Sequence, residues 1–575
     1  MLAHRLSADP AVRVLLLEAG GADRNPLIHI PIGFQILRER RMCDWMYDSE
    51  PDPGLAGRSI AAYRGKVLGG SSSVNVQVFT RGDRRDYDRW AERGAAGWGY
   101  RDVLPYFKKV ESWCEGASDV RGGSGPVAVQ WSESPDPLFA AWARAAETAG
   151  YRVGHDMNAG EVEGFGQVQF NISGGRRASS ASAYLRPALH RPNLDVLLGA
   201  HTHRVDIEGR RAVGVTFSRR GRVIAVRAAA ETILCAGAFN SPQILMLSGI
   251  GPAAHLEATG IRPRQDLPVG RNLQDHWSVP NYFARRGDGW FRQRMRADRM
   301  AVAMARAYLF GTGTATRVPT NLIGFTRSRP GIEVPDIEFL LMPTAPAARL
   351  WLPGIREPYA DSFGIKAAIM HGQSRGDVLL RSADPLSPPR IRFNALRAQA
   401  DVDTLREGLR LARDLNHQAA LDDFRGEELL PGPGVRSTPE LDAFVRQHAM
   451  PVYHPAGTCA MGNGAEAVLD TALRVRGVDA LRVVDAAAMP ELITGHINAC
   501  VMMMAERAAD LIRGVASVAA AAGEPAAAVP PAVDVPPAAV PAAAVPAAAV
   551  PAASPAPAQG QANRITAGAL PAARS

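Results

Sequence analysis

Residues 231–247 follow the order strand, short turn, helix, which is the unit from which parallel α/β sheets are built. The run Glu231 to Cys235 predicts a buried strand, and the small residues after it predict a tight turn. Ser241 is a suitable N-cap and Pro242 a suitable first helical residue, so we expect the helix to begin there. Such a unit cannot bury its apolar faces alone, and it therefore predicts an α/β fold with a parallel sheet.

Two further segments fit the same sheet. The apolar run Val12 to Leu17 ends at Glu18 and a Gly-Gly turn, and the run Leu481 to Val484 ends at Asp485. A carboxylate at the end of a buried parallel strand is where dinucleotide-binding sheets bind the adenosine ribose. A simple strand stop would look the same, and the G-x-G-x-x-G segment that should precede the first strand is not in the printed sequence, which begins at Met1.

A run of small residues, RGKVLGGSSSVN, occupies positions 64–75. Glycines such as Gly70 let backbone amides approach a planar or anionic ligand closely, and short hydroxyl side chains add donors without bulk. A flexible loop is the other interpretation. The spacing is more specific than that of a linker, so we take the run as a candidate ligand loop.

Composition changes abruptly near Val515, after which Ala, Pro and Val dominate the chain. Frequent proline blocks helix and sheet formation, and few large side chains remain to offset the entropy of ordering. We therefore expect 515–575 to be a disordered tail and 1–514 to be the folded body. A tether or a partner ligand is an alternative role for the tail.

The charge and cysteine content exclude several classes of protein. The net charge of +8 is small for 575 residues, and a solvated basic face explains it better than a nucleic-acid site. The five cysteines lie far apart without a C-x-x-C pair, so we expect neither a disulfide framework nor a metal site. No signal peptide or spanning segment is evident, and we expect a cytoplasmic protein, with peripheral membrane contact left open.

Two more motifs lie near the C-terminus: Tyr453-His454-Pro455-Ala456-Gly457-Thr458-Cys459, and the segment from Asp485 through Met489-Pro490 to Gly495-His496-Ile497-Asn498-Ala499. Together with RGKVLGGSSSVN and GAFNSPQILMLSGIG (237–251), they resemble the glucose-methanol-choline (GMC) family of flavin-dependent alcohol oxidoreductases. The resemblance covers essentially all of residues 1–514, and choline dehydrogenase-like and aliphatic alcohol dehydrogenase-like members are similar in style. It implies bound FAD, a discontinuous Rossmann-like FAD domain and a substrate domain built on an antiparallel sheet.

The resemblance also implies roles for individual residues. In several relatives the residue before the signature Asn is a histidine that bonds covalently to the flavin, whereas this chain has Val74, so noncovalent FAD is expected. The positions that correspond to FAD contacts in the family are Glu18 (adenosine ribose), Val67, Gly70 and Asn75 (flavin side), Thr202 (adenine, through its backbone) and Asp485 (near the ribityl and pyrophosphate).

His454 and Asn498 match the two active-site positions of the family. A neutral imidazole with a pKa near 6.5 is suited to accept the hydroxyl proton of an alcohol as hydride leaves its carbon. The amide of Asn498 would hold the alcohol oxygen. His496 is the alternative second group if the alignment is shifted by two residues, and a histidine beside proline can also be purely structural.

The domain boundaries expected from these matches are 1–275 for the FAD domain, 276–440 for the substrate domain and 441–514 for the return to the FAD domain. Within the substrate domain, Ile332 to Met342 reads as a strand, and 377–381 with 388–393 reads as antiparallel sheet. The sequence does not identify the alcohol, the electron acceptor (O₂ or a quinone-like compound) or the oligomeric state.

The start of the chain leaves two explanations open. Without the glycine segment, the sheet lacks its first strand, and the FAD pyrophosphate lacks the backbone amides that would bind it. The polypeptide as printed should therefore bind FAD poorly. Either the start is placed too late and the natural protein is a full enzyme, or the chain is an inactive remnant. A further alternative is a non-redox lyase of the same fold.

Overall fold

The computed structural model describes residues 1–515 of the 575-residue chain, all of them in one compact unit. The predicted tail lies outside the described residues, except for Val515. Within residues 1–515, no helix has the length and hydropathy that crossing a bilayer requires.

Short and long helices are distributed along the whole described chain. In order they are α1 (Leu2–Leu6), α2 (Pro26–His29), α3 (Phe34–Glu39), α4 (Arg84–Glu92), α5 (Tyr100–Val110), α6 (Leu138–Thr148), α7 (Arg186–Ala188), α8 (Gly237–Leu247), α9 (Ala253–Ala258), α10 (Trp290–Arg294), α11 (Ala297–Phe310), α12 (Gln399–Asn416), α13 (Thr438–His448) and α14 (Asn498–Arg513).

The strands alternate with these helices. In order they are β1 (Val14–Glu18), β2 (Glu111–Trp113), β3 (Val127–Trp131), β4 (Gly164–Gln167), β5 (Gln169–Phe170), β6 (Ile172–Ser173), β7 (Arg176–Arg177), β8 (Leu194–Leu198), β9 (His201–Glu208), β10 (Arg211–Arg219), β11 (Arg222–Arg227), β12 (Thr232–Leu234), β13 (Trp277–Arg285), β14 (Leu322–Thr326), β15 (Ile337–Met342), β16 (Ser362–Ile369), β17 (Asp377–Leu379), β18 (Arg390–Arg392), β19 (Arg425–Leu430), β20 (Met450–Pro451) and β21 (Leu481–Val483).

The α/β prediction is confirmed, and the described residues contain three parallel strand pairs, one of which is β2 with β3 in a mixed three-stranded sheet. β1 pairs with β8, and β12 pairs with β21, both in parallel. Within the described residues, no strand pairs with the other edge of β1, and its apolar Leu15 is 39% exposed. The predicted strand ends are correct for Glu18, the last residue of β1, while Asp485 follows β21 by two residues.

The second architectural unit is a seven-stranded antiparallel sheet in the order β19-β13-β16-β15-β14-β4, with β20 pairing on β13. One face of its central strands packs on α12, where Leu405 and Leu409 meet Phe339 and Ile365 in a buried apolar cluster. β4 comes from far upstream of the other strands, so this sheet draws on more of the chain than 276–440. β17 and β18 form the antiparallel pair expected from the sequence.

The helix after β12 begins earlier than predicted. α8 starts at Gly237 rather than at Ser241, because the Ser241 hydroxyl donates to Asp485 Oδ2 at 2.6 Å instead of capping the helix. Pro242 lies inside α8, where it cannot bond the carbonyl of Ala238. The Ala238 carbonyl instead accepts a hydrogen bond of 2.7 Å from the Thr458 hydroxyl, so this carbonyl is satisfied. The N-cap assignment of Ser241 was therefore wrong.

A buried charge cluster fixes the segment that precedes α4. The Glu111 carboxylate accepts hydrogen bonds from Arg81, from Arg121 at 2.9 Å and from the backbone amide of Gly122 at 2.7 Å. The Glu111 side chain is fully buried, and the two arginines are 1% and 3% exposed. Because Arg81 follows Thr80 directly, this cluster also fixes the backbone at Thr80.

We expect Glu111→Gln to lower the free energy of unfolding by about 3–5 kcal/mol, because it leaves the buried Arg81 guanidinium without its carboxylate and Arg121 with Asp156 alone. Urea denaturation followed by circular dichroism measures the change. The matched control is Glu147→Gln, at an exposed position of α6, which should stay within about 0.5 kcal/mol of wild type. Equal midpoints for the two variants would contradict the expectation.

Candidate active site

His454 lies in the loop after β20, in a conformation that its neighbours impose. Its backbone amide donates to Asp275 Oδ1 at 2.7 Å, and its side chain is buried. The preceding Tyr453 has a left-handed backbone with φ of 67°, which is unusual for a residue other than glycine. The Arg64 guanidinium donates to the Tyr453 carbonyl at 2.7 Å and helps to hold this turn.

Three imidazoles meet at this point. The Nδ1 atoms of His276 and His454 are 3.0 Å apart with the rings nearly perpendicular. The His496 ring packs edge-on against His454 at a centroid distance of 4.8 Å. A short contact between two Nδ1 atoms requires one donor and one acceptor, so His276 and His454 adopt complementary tautomers and are not both protonated.

Burial keeps the His276 and His454 rings neutral by lowering the pKa of each. Burial, followed by the neighbouring His496 and His276, holds the pKa of His454 well below its usual value. Burial also lowers the pKa of His276 to about 3. The ordinary pKa near 6.5 assumed from the sequence is therefore not the pKa of His454 in this environment, although its neutral state is as expected.

His496 is anchored through its backbone and faces a carboxylate. Its amide donates to Thr80 Oγ1 at 2.7 Å, and its Nε2 lies 3.2 Å from Glu338 Oε1. Glu338 is the fully buried second residue of β15, and neither carboxylate oxygen has a hydrogen-bond partner among the described residues. A carboxylate here stabilises positive charge on the imidazole cluster.

Asn498 is the first residue of α14, two positions beyond His496. Its Nδ2 is buried and has no hydrogen-bond partner among the described residues. The structure brings His454 into ring contact with His496 and His276, whereas Asn498 contributes an unused donor at the helix start. The alternative raised from the sequence, His496, is thus the residue whose side chain lies against His454.

Sequence reasoning missed His276 and Glu338. A glutamate within the apolar strand Ile337–Met342 is a detectable signal, because an unpaired carboxylate is rarely placed in a core strand. His276 follows Asp275 just before β13, and nothing in its local sequence indicated the contact with His454.

The predicted cofactor residues of the N-terminal half also come together. Glu18 ends β1 and accepts the Gly20 amide at 2.7 Å, and burial raises its pKa to about 7. The 64–70 loop lies against this turn, since the Leu68 amide donates to the Gly21 carbonyl at 2.9 Å. A side chain at Gly20 would come within 2.3 Å of the Lys66 backbone, so the approach requires glycine.

The 69–75 loop presents open space and an unused donor. Gly70 has φ of 55°, and apart from its chain neighbours no described residue has an atom within 4 Å of the position of a Cβ there. Asn75 Oδ1 accepts a hydrogen bond of 2.7 Å from buried Arg177, whose Nη2 has no partner among the described residues. Val67 and Val74 are buried in one apolar cluster under the loop.

Thr202 and Asp485 complete the predicted set. Thr202 lies in β9, close to Glu18, because the Ala200 amide donates to the Glu18 carbonyl at 2.9 Å. Asp485 accepts hydrogen bonds from the amides of Gly237 and Ala487, both at 2.8 Å, in addition to Ser241. Its carboxylate thus positions the first turn of α8, where no atom lies within 4 Å of a Cβ built on Gly237.

These features fit a flat cofactor with an anionic linker. Open glycines at the 69–75 loop and at the start of α8 leave room for close approach, and the unpartnered Arg177 Nη2 and Asn498 Nδ2 provide donors. The histidine cluster supplies a neutral ring nitrogen for proton transfer.

Comparison with known proteins finds matches to one protein family. Two family models described as GMC oxidoreductase match residues 19–278 and 372–505. A protein named oxygen-dependent choline dehydrogenase from Sinorhizobium medicae is 42% identical over 536 residues, covering 91% of this chain and 95% of that protein. One of the same name from Brucella anthropi is 40% identical over 532 residues, with the same coverage.

Solved structures show the same similarity. A pyridoxine 4-oxidase from Mesorbium loti superposes with a TM-score of 0.79 at 30% identity, covering 89% of this chain and 96% of that chain. A formate oxidase from Aspergillus oryzae RIB40 gives a TM-score of 0.82 at 26% identity with the same coverage.

We expect His276→Asn to flatten the acid limb of the stability profile. The unfolded imidazole binds a proton near pH 6.5 and the folded one only near pH 3, so wild-type stability falls as pH drops through this window. The single group contributes up to about 1.4 kcal/mol per pH unit. Urea unfolding at pH 7.5, 6.0 and 5.0 measures it.

The opposite contribution of Asp275, whose pKa burial raises to about 7, is present in both proteins and cancels in the comparison. The exposed His190→Asn serves as the control and should keep the wild-type slope. Parallel curves for wild type and His276→Asn would show that the ring is not buried in its neutral form.

Proposed function

The chain belongs to the GMC oxidoreductase family and is an FAD-dependent oxidoreductase acting on CH–OH groups; from this we propose that it oxidises a small alcohol to an aldehyde or ketone, with His454 as the proton acceptor. The observation that carries the proposal is the ring arrangement around His454. Its Nδ1 is occupied by His276, which leaves Nε2 as the ring nitrogen free to meet the hydroxyl.

If His454 acts as the base, the tautomers of His454 and His276 are determined. For Nε2 of His454 to accept a proton, the ring must carry its own proton on Nδ1 and donate it to Nδ1 of His276. His276 is therefore a positioning residue that fixes both the tautomer and the plane of the base. The hydrogen bond from the His454 amide to Asp275 holds the backbone below.

Two groups are available to hold the alcohol oxygen. His496 lies against His454, and we assign it the first hydrogen bond to the substrate oxygen, with the amide of Asn498 as the second donor. Glu338, next to His496, stabilises the positive charge that the cluster gains when His454 takes up the proton. Because the pKa of His454 is low, its protonated form is unfavourable at this position and needs the stabilisation that Glu338 provides.

FAD, when bound, supplies the two-electron acceptor for the hydride. Glu18 and Thr202 would hold the adenosine end, Val67, Gly70 and Asn75 would line the flavin side, and Asp485 would position the helix start near the linker. Val74 has a hydrocarbon side chain and offers no atom for a bond to the flavin, which supports noncovalent binding.

The names of the relatives suggest compounds to assay. Choline follows from the choline dehydrogenases, and "oxygen-dependent" in their name supports O₂ as acceptor, with a quinone-like compound as the alternative. A cytoplasmic location stays a prediction.

A non-redox lyase of this fold, or an inactive remnant, is distinguished by spectroscopy. The FAD-loaded enzyme should lose its flavin absorbance with an alcohol under anaerobic conditions, and a lyase should not. A chain that retains no FAD after purification and reconstitution would be the remnant.

We expect His454→Ala to retain FAD and to slow anaerobic flavin reduction by about 10²- to 10⁴-fold, because the hydroxyl proton then has no acceptor. Stopped-flow absorbance at saturating alcohol measures the rate. His190→Ala, on the surface, is the matched control and should reduce at the wild-type rate. Wild-type reduction by His454→Ala would refute the assignment.

A second comparison separates His496 from Asn498. If His496 provides the main contact to the substrate oxygen, His496→Ala should slow flavin reduction by at least tenfold more than Asn498→Ala does. The reverse order would return the role to Asn498. Comparable FAD content in both variants, read from the absorbance ratio of flavin to protein, shows that the difference lies in the chemistry.

A further inference from the structure

The face of the seven-stranded sheet that carries Glu338 forms one wall of the site. Glu338 is paired with Ala368, and Ala368 with Ser278, so the three share one rung of the sheet on the face that meets His496. The next rung on this face consists of Leu340, Lys366 and Pro280. It lies roughly 7 Å further from the histidine cluster, two residues along each strand.

The two rungs differ in exposure. Ser278, Ala368 and Glu338 are buried, whereas Leu340, Lys366 and Pro280 are each partly exposed. These strands are central in the sheet and their opposite face is covered by α12, so solvent reaches the outer rung only from the side of the site. The wall therefore opens into a space at this rung.

Lys366 faces this space without a counter-ion. It takes part in no ion pair or side-chain hydrogen bond among the described residues, and its strand neighbours Leu340 and Pro280 carry no charge. The charged group that acts on it is the guanidinium of Arg38, and burial together with this cation lowers the pKa of Lys366 to about 8.

Arg38 belongs to α3, which covers the same end of the sheet. Phe34, one helical turn before it, packs in an apolar cluster that also includes Leu340 and Ala368. Arg38 itself is exposed and, like Lys366, forms no ion pair within residues 1–515. Two cations thus lie near one opening, and neither has a carboxylate partner among residues 1–515.

We propose that Lys366, with Arg38 at the opening, binds an anionic group of the alcohol substrate, a carboxylate or a phosphate, while the carbinol end lies at His454 and His496. The inference rests on the proposed function and names its substrate class. Like charges repel, so a trimethylammonium group is disfavoured beside Lys366 and Arg38. Choline should therefore be a poor substrate despite the names of the relatives.

The test compares substrates matched in length. The FAD-loaded chain is mixed anaerobically with ω-hydroxycarboxylates of four to eight carbons, with monophosphates of the corresponding diols, with 1-alkanols and with choline. We expect the best anionic alcohol to give an apparent Kd for flavin reduction at least tenfold below that of its 1-alkanol. The carboxylate and phosphate series show which anion the site prefers.

Substitution then assigns the preference to Lys366. In Lys366→Met the apparent Kd of the anionic alcohol should rise at least tenfold and that of the 1-alkanol should change less than twofold, while Lys366→Arg keeps most of the preference. Lys108→Met, in α5 outside the site, is the matched control and should behave as wild type. A change of equal size for charged and neutral alcohols would mean that Lys366 acts on the cofactor or on folding, and it would overturn the proposal.

A binding measurement keeps the result independent of turnover. An alkanoate without the hydroxyl group should bind the FAD-loaded wild type in calorimetry and bind Lys366→Met at least tenfold more weakly. No measurable binding to wild type would refute the anionic subsite, even where neutral alcohols reduce the flavin. If no alcohol reduces the flavin but the alkanoate still binds through Lys366, the proposed oxidation fails and the anion site stands.

Discussion

The site depends on the packing of His276, His454 and His496, three imidazoles that arrive from distant parts of the chain. Each is held by a separate backbone hydrogen bond: the His454 amide donates to Asp275, the His496 amide donates to Thr80, and the His276 carbonyl accepts the Val452 amide. The short contact between the Nδ1 atoms of His276 and His454 needs one donor and one acceptor, so the proton positions of these two rings are correlated. The buried Glu111 cluster, which fixes the backbone next to Thr80, thereby supports the chemistry from a distance.

Residue patterns within short segments of the sequence predicted several strands correctly. The strand ending in Glu18, the strand that ends at Met342 and the β17–β18 pair follow from patterns within short segments. What the sequence could not fix were contacts between segments far apart. The start of α8 was misplaced because Asp485, from the far end of the chain, takes the Ser241 hydroxyl, and the choice between His496 and Asn498 required the position of the His454 ring.

Charge is distributed unevenly along the site-facing wall of the sheet. The inner rung carries one carboxylate, which faces an imidazole, and the outer rung carries one ammonium group without a partner. The unused donors of Arg177 and Asn498 lie near the 69–75 loop and the start of α14, respectively. A buried donor without an acceptor is unfavourable, so these positions mark where the substrate-free polypeptide is least satisfied and where ligands gain most from binding.

The free edge of β1 has a consequence for the handling of this polypeptide. Among the described residues β1 is a short apolar strand that pairs on one side only, and an unpaired strand edge is a template for strand addition by another chain. Leu15 and its neighbours would add an apolar surface to that contact. Self-association through this edge should therefore compete with correct folding at high protein concentration. A polypeptide segment that pairs with β1 would block this self-association.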